Sequence, residues 1–284
     1  MLFRSAFIIT AVIILVIALF LIFAYFQNNR PDITEYSITA DIEKDKTIVH
    51  LSDFHSKPSK IIFEKVKEIN PDIICITGDF INDKGRRREA MLQYAKKLCE
   101  IADVIYIPGN HERRLADFDT LMTQLRKSGF CVLIDSICTD QGITFLGLDE
   151  NQADFKDYKA RKNGTYKYKD SSALLKRFSD MKGFKILLSH FPENFKAVKE
   201  NNYQQYDFDL QLSGHAHGGQ WILPFVGPVF SPGQGLFPKY ARGSFGERPK
   251  LIISRGIGNA EFPLRLFNHP EIIVISVKEK SENT

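Results

Sequence analysis

The chain has 284 residues, 44% hydrophobic and 25% charged, an ordinary globular composition that fits one large domain or two small ones. A net charge of +4 is small for this length and gives no ground by itself for a nucleic-acid partner. The four cysteines (Cys75, Cys99, Cys131, Cys138) form no Cys-x-x-Cys pair and read as free thiols, with a Cys131–Cys138 bridge left open.

The stretch from Ala6 to Phe26 carries no charge and is rich in Ile, Val, Leu and Phe. As a helix it spans about 31 Å, close to the hydrocarbon thickness of a bilayer. No small-residue cleavage pattern follows, so an uncleaved anchor over residues 1–30 is expected rather than a signal peptide. Arg4 precedes the stretch, and Arg30 and Lys44 follow it, nearly a tie under the positive-inside rule. One leading anchor before a long domain points to a single-pass protein of the cell membrane with its domain extracytoplasmic. Residues 31–46 are polar and read as a linker, leaving 47–284 as the domain.

Within that domain Thr47–Leu51 is strand-like and Ser59–Asn70 has helical spacing. Asp72–Thr77 is a short apolar strand, Arg86–Ile101 a helix, Val104–Ile107 a strand, and Phe118–Ser128 a helix stopped by Gly129. This alternation implies parallel strands with helices packed on the sheet. Shorter strands are expected at Cys131–Ile134, Ile143–Leu148, Phe184–Ser189, Phe208–Leu212, Leu251–Ser254 and Ile272–Val277, enough for a second sheet. Residues 152–170 read as a surface excursion rich in Lys and Tyr. Residues 221–249 read as a long loop with Trp221, Phe225, Phe230, Phe237, Tyr240 and Phe245, too aromatic to be disordered.

Polar clusters close each main strand. Ser52-Asp53-Phe54-His55 follows the first, Gly78-Asp79 the second, and Gly109-Asn110-His111-Glu112 the third. Later come Ser189-His190 and Gly214-His215-Ala216-His217-Gly218-Gly219. Ligands of open α/β sheets bind at this carboxyl edge of the strands. Five of the seven histidines fall in these clusters, which scattered surface histidines do not explain. Asp, Asn and His offer oxygen and imidazole nitrogen without thiolate, a set suited to Mn, Fe or Zn. Asp79 could bridge two ions, Asp53, His55 and His217 completing one and Asn110, His190 and His215 the other. His50 reads as packed and His269 as structural. Asp149 is open between orienting a ligand and a structural role, and Arg255 and Arg265 between binding a phosphate and forming salt bridges. Arg86-Arg87-Arg88 reads as a solvated helix start.

In order, these five motifs resemble those of the calcineurin-like metallophosphoesterases, over roughly residues 47 to 277. Gly218-Gly219-Gln220, Ser254-Arg255-Gly256-Ile257-Gly258 and the anchor are similar to the bacterial subgroup typified by YkuE and YaeI. The resemblance implies a four-layer αββα sandwich and a two-metal centre. Glu112 stands where many members have Asp. His111 is expected to act on a phosphoryl oxygen or the leaving group rather than to ligate, with Glu112 or Asp83 orienting it. The implied function is hydrolysis of a phosphodiester or pyrophosphate at the membrane, on a lipid-linked substrate. A phosphomonoesterase or nucleotidase is the enzyme alternative, and a metal-binding scaffold without catalysis the non-enzyme one. No nucleic-acid partner is expected.

Overall fold

The computed structural model describes residues 2–150, 169–196, 202–259 and 264–280, so the expected excursion at 152–170 lies almost wholly outside the described residues. Helix α1 (Leu2–Asn29) contains an apolar stretch long enough to cross a membrane. It ends just before Pro31, as expected where a proline disfavours helical geometry at the preceding residue. The other helices are α2 (Lys60–Ile69), α3 (Arg88–Cys99), the one-turn α4 (Asn110–Arg113), α5 (Phe118–Lys127), and a helix over Ser172–Ser179. Helix α2 starts where Ser59 accepts a hydrogen bond from the Ile62 N–H at 3.3 Å, and it stops at a left-handed Asn70.

The strands are β1 (Asp32–Ala40), β2 (Lys46–Leu51), β3 (Ile73–Thr77), β4 (Asp103–Ile107), β5 (Cys131–Val132), β6 (Ser136–Asp140), β7 (Ile143–Gly147), β8 (Lys185–Leu188) and β9 (Leu210–Ser213). They continue as β10 (Ile222–Leu223), β11 (Gly227–Pro228), β12 (Phe230–Ser231), β13 (Gly235–Leu236), β14 (Gly243–Phe245), β15 (Lys250–Ile253) and β16 (Glu271–Glu279). Among the described residues they form two six-stranded sheets, ordered β1-β16-β2-β3-β4-β5 and β14-β15-β9-β8-β7-β6. Strands β2 to β5 run parallel in one sheet, and β7, β8, β9 and β15 in the other.

Alternation along each strand builds the layers. On β3, Ile73 and Cys75 enter the seam between the sheets with Ile105, Phe145, Ile186, Leu210 and Ile252. Ile74 and Ile76 face outward onto α2, α3 and α5, where Val66, Met91, Leu98 and Leu121 meet them. The outer face of the second sheet is covered by Leu175 and Phe178 of the Ser172–Ser179 helix. Each such aliphatic or Phe side chain contributes about 1.5–3 kcal/mol by leaving water. The result is the expected αββα sandwich.

Two expectations are corrected. Most of the expected linker is strand: β1 lies parallel to β16 in register from Asp32↔Glu271 to Ala40↔Glu279. Its inward face, Thr34, Tyr36, Ile38 and Ala40, alternates with exposed Ile33, Glu35, Ser37 and Thr39. The expected aromatic loop contains two small hairpins, β10–β11 and β12–β13, and further on the edge strand β14.

Candidate metal centre

Because β2, β3, β4, β8 and β9 share one direction within their sheets, the loops leaving their carboxyl ends gather at one edge of the sandwich. That edge brings together all seven residues expected to hold metal. Asp53 Oδ1, His55 Nε2 and His217 Nε2 converge: the two nitrogens are 3.0 Å apart, and they lie 3.8 and 3.4 Å from the carboxylate oxygen respectively. Beside them, His190 Nε2 is 3.1 Å from Asn110 Oδ1, 3.2 Å from His215 Nδ1 and 3.4 Å from Asp79 Oδ2. The same Asp79 oxygen is 3.7 Å from His55 Nε2, so it faces both groups.

These separations fit metal ligands. Donors bound at about 2.0–2.2 Å around one ion stand roughly 3.0–3.6 Å from each other. Asp53 Oδ1 is also buried with no hydrogen-bond donor among the described residues, an arrangement a cation would relieve. The His190 Nδ1 lies 2.6 Å from the Thr77 carbonyl, which can only accept, so Nδ1 carries the hydrogen and Nε2 is directed inward.

Electrostatics agree. Burial pushes His55 down to about 3 and holds His217 well below the ordinary range, so both imidazoles are neutral. Burial opposes the Asp79 carboxylate, yet His111 and the hydrogen-bonded His190 beside it keep it well below the usual range. Burial likewise opposes a charged His190, but Asp79 and Asp53 outweigh it and raise the ring to about 10. Two buried carboxylates thus call for positive charge where the ligand atoms meet.

The loops are tightly wound. Five of the seven side chains sit on left-handed backbone: Asp53, His55, Asp79, His215 and His217, with φ between 47° and 66°. Each such residue costs about 1–2 kcal/mol over the right-handed form, and strain of this kind concentrates at functional sites. Glycines allow the approach. A Cβ on Gly78 would lie 2.6 Å from His190 Nδ1, and one on Gly214 would collide with Ser52 and Asp53.

His111 borders the cluster, its ring 4.5 Å from that of His55 and its Nε2 3.9 Å from Asp79 Oδ2. Its Nδ1 accepts from the Asp83 N–H at 3.4 Å and lies 3.7 Å from Asp83 Oδ1. Asp83 is therefore the acid beside this ring. Glu112 is wholly buried and accepts from the backbone N–H groups of Asp79, Ile81 and Gly109 at 3.0, 2.7 and 2.9 Å. It clasps the second and third motif loops together instead of orienting His111.

Other candidates resolve into structure. Asp149 forms a two-pronged ion pair with Arg113. Arg255 pairs with Asp32 at 3.0 Å and Glu271 at 3.1 Å. Arg265 is buried and donates to the carbonyls of Arg255, Gly256 and Gly258. His50 packs with its Nε2 2.8 Å from Thr77 Oγ1, and His269 lies 2.9 Å from Asp32. Sequence reasoning missed two supports. Glu150 accepts from Ser189, Phe191, Asn194 and Tyr203, bracing the His190 loop. Asn268 donates to the carbonyls of His217 and Gln220 at 2.8 and 3.0 Å. A second carboxylate, next to Asp149 just past the apolar run Ile143–Leu148, was a signal for Glu150; Asn268 had none.

Comparison with known proteins adds an independent line. The family model for calcineurin-like phosphoesterases matches residues 46–219. The metallophosphoesterase YkuE of Bacillus subtilis is 32% identical over 240 residues, covering 81% of this chain and 76% of that protein. The phosphodiesterase YaeI of Escherichia coli is 27% identical, with 81% of each chain covered. A transmembrane protein with a metallophosphoesterase domain from Danio rerio is 27% identical over 82% of this chain and 53% of its own length.

Proposed function

The chain belongs to the calcineurin-like phosphoesterases, and from that membership we propose a dinuclear, metal-dependent phosphodiesterase or pyrophosphatase held at the membrane. The observation that carries this reading is the Asp79 oxygen shared by two groups of nitrogen and oxygen donors, 3.7 Å from His55 and 3.4 Å from His190. Asp53, His55, His217 and Asp79 would hold one ion, and Asp79, Asn110, His190 and His215 the other. Two divalent ions there, of Mn, Fe or Zn, would polarise a phosphoryl oxygen and make a bound water acidic near neutral pH.

The residues around the ions have their own work. Because His111 Nδ1 accepts the Asp83 N–H, the ring hydrogen lies on Nε2, the nitrogen nearer Asp79. That hydrogen is placed to donate to a phosphoryl oxygen or to the departing oxygen. Glu112 and Glu150 keep the loops, and so the donors, in register before substrate arrives.

Retention of α1 as an anchor is supported by its docking on the domain. Ala24 and Asn28 are buried, and Lys57 donates to the Asn28 carbonyl at 3.1 Å. A leader built for removal has no need of such contacts. We read the domain as lying outside the cytoplasm, the arrangement expected of one leading anchor before a long domain, and the substrate as a lipid-linked phosphodiester or pyrophosphate, a reading supported by the hairpins over residues 222–236 that follow directly from the His217 loop.

The test uses full-length protein in detergent, loaded with Mn, Fe or Zn, against phosphodiesters, pyrophosphates and monoesters in water-soluble and lipid-linked form. Metal-dependent turnover of diesters or pyrophosphates, fastest on lipid-linked forms, is the expected result. A preference for monoesters would establish the phosphomonoesterase reading, and two retained metals with no turnover the scaffold. Protease digestion of intact cells should remove the domain; protection would place it in the cytoplasm.

A further inference from the structure

The two small hairpins carry apolar side chains into open space. Phe225 is fully exposed and Phe237 64% exposed, with exposed Val226 and Leu236 next to them in sequence; nearby in the fold, Phe267 is 52% exposed. Gathered apolar surface of this kind marks a contact site. All three phenylalanines also occupy left-handed backbone, with φ of 65°, 53° and 52°. Glycine is the default there, and a bulky side chain is an outlier. A turn needing only its shape would use glycine at these positions. The chain instead keeps a large exposed ring at each strained position, so the rings themselves have a use.

These tips are tied to the apolar helix. Phe23 of α1 meets Phe267 with ring centroids 5.5 Å apart. Leu266, next to Phe267, bridges Trp221 and accepts from the Ile222 N–H at 3.0 Å. From Ile222 the first hairpin needs only about 10 Å of chain to reach Phe225. Val229 joins the hairpins, donating to the Trp221 carbonyl at 3.0 Å and accepting from the Phe237 N–H at 2.9 Å. Phe23 lies about 9 Å before the end of α1 at Asn29, inside its uncharged stretch. Phe267 therefore meets the helix at a depth suited to hydrocarbon. Where α1 enters the domain, a crevice of about 900 Å³ is lined by Arg30 and Lys65 together with Tyr25, Phe26 and Ile61. The Asp32 carboxylate in the same lining is paired with Arg255, which leaves Arg30 and Lys65 as an excess of cations beside apolar side chains, a match for an anionic headgroup layer.

We infer that Phe225, Phe237 and Phe267 insert into the bilayer leaflet adjoining the end of α1, giving the domain a second, monotopic membrane contact. The inference rests on reading α1 as a retained anchor. Aromatic rings are favoured at the boundary of headgroups and acyl chains. Asn268, which holds the His217 and Gln220 carbonyls, directly follows Phe267, so the candidate metal loop lies immediately behind the inserted surface.

The test places tryptophan at Phe225 or Phe237 in the full-length chain, reconstituted in liposomes of anionic lipid with brominated or ordinary acyl chains. Trp221, the sole native tryptophan, supplies the baseline, and a Leu15→Trp variant reports the helix. Circular dichroism checks that each variant is folded. The expected result is blue-shifted added emission at 225 and 237 that loses most of its intensity in brominated lipid, together with quenching at 15. Quenching at 15 alone, with water-like emission from the hairpins, overturns the inference while leaving the anchor intact. No quenching at any position removes the anchor and the inference together. Blue-shifted, unquenched hairpin emission that reverts as protein is diluted among liposomes would assign the face to a second copy of the chain and overturn the inference.

Discussion

Glu112→Gln is a demanding test of how the site is held. Glu112 Oε2 accepts from the N–H groups of Asp79 and Gly109 at 3.0 and 2.9 Å, and Oε1 from that of Ile81 at 2.7 Å. Glutamine has the same shape but one acceptor. Turned toward Asp79 and Gly109, its oxygen serves two donors while its NH₂ faces the Ile81 N–H, leaving donors on both sides unsatisfied. At about 1–3 kcal/mol for each buried orphan, the better orientation costs roughly 2–6 kcal/mol. Part is recovered, because the neutral amide escapes the burial penalty that, with Asp79 nearby, lifts the Glu112 pKa to about 7. A net loss of about 1–3 kcal/mol remains, which for a chain of this size lowers the melting temperature by roughly 2–12 °C. The loops carrying Asp79 and Asn110 lose their clasp, so metal affinity should fall about 10- to 100-fold, as for groups that orient ligands. Thermal unfolding and metal titration of the full-length variant in detergent read both effects. Unchanged melting with unchanged metal affinity would refute the clasp.

The other predictions concern single roles. Asp79→Asn should weaken both metal sites and His190→Ala chiefly one, by metal analysis after dialysis; two equivalents retained by Asp79→Asn would end the bridging role. His111→Ala should keep both ions and lose roughly 10²–10⁴-fold in turnover, less on nitrophenyl diesters whose leaving group needs no proton. Loss of a metal equivalent instead would make His111 a ligand. His50 is wholly buried with its pKa pushed down to about 3, so its contribution to stability is present above the unfolded value of about 6.5 and lost as pH falls toward 3. The loss is about 1.4 kcal/mol per unit, near 2 kcal/mol by pH 5, and His50→Leu should flatten the acid side of the stability profile by that amount. Equal slopes would show that His50 does not titrate in this way.

The central strands were legible because parallel strands covered on both faces read as apolar runs; Asp72–Thr77 could be little else. Strand β1 was hidden by its edge position. With one face exposed it alternates Thr34, Tyr36 and Ile38 with Glu35 and Ser37, and a polar segment after an apolar helix was read as a spacer. Period-two alternation was the overlooked signal. The hairpins over residues 222–236 were obscured for another reason. Phe225 and Phe237 stand at left-handed positions where turn chemistry leads one to look for glycine.

The candidate ligands were legible for a chemical reason that does not extend to their supports. Asp, Asn and His are among the few residues that offer oxygen and imidazole donors, so their gathering at strand ends makes type and position together point to a candidate site. Holding those side chains still requires only acceptors and donors for whatever backbone atoms the loops expose. Glu112 serves residues 3 to 33 positions away in sequence, and Asn268 reaches back 51 residues to His217. The third motif displays Glu112 but not what it serves, and nothing in the local pattern announces Asn268, because such partnerships depend on which loops the two sheets bring together. The same dependence makes them informative as mutations. A ligand variant reports only that a ligand is missing, whereas a fault at Glu112 or Asn268 leaves all seven donors present and tests whether their placement matters.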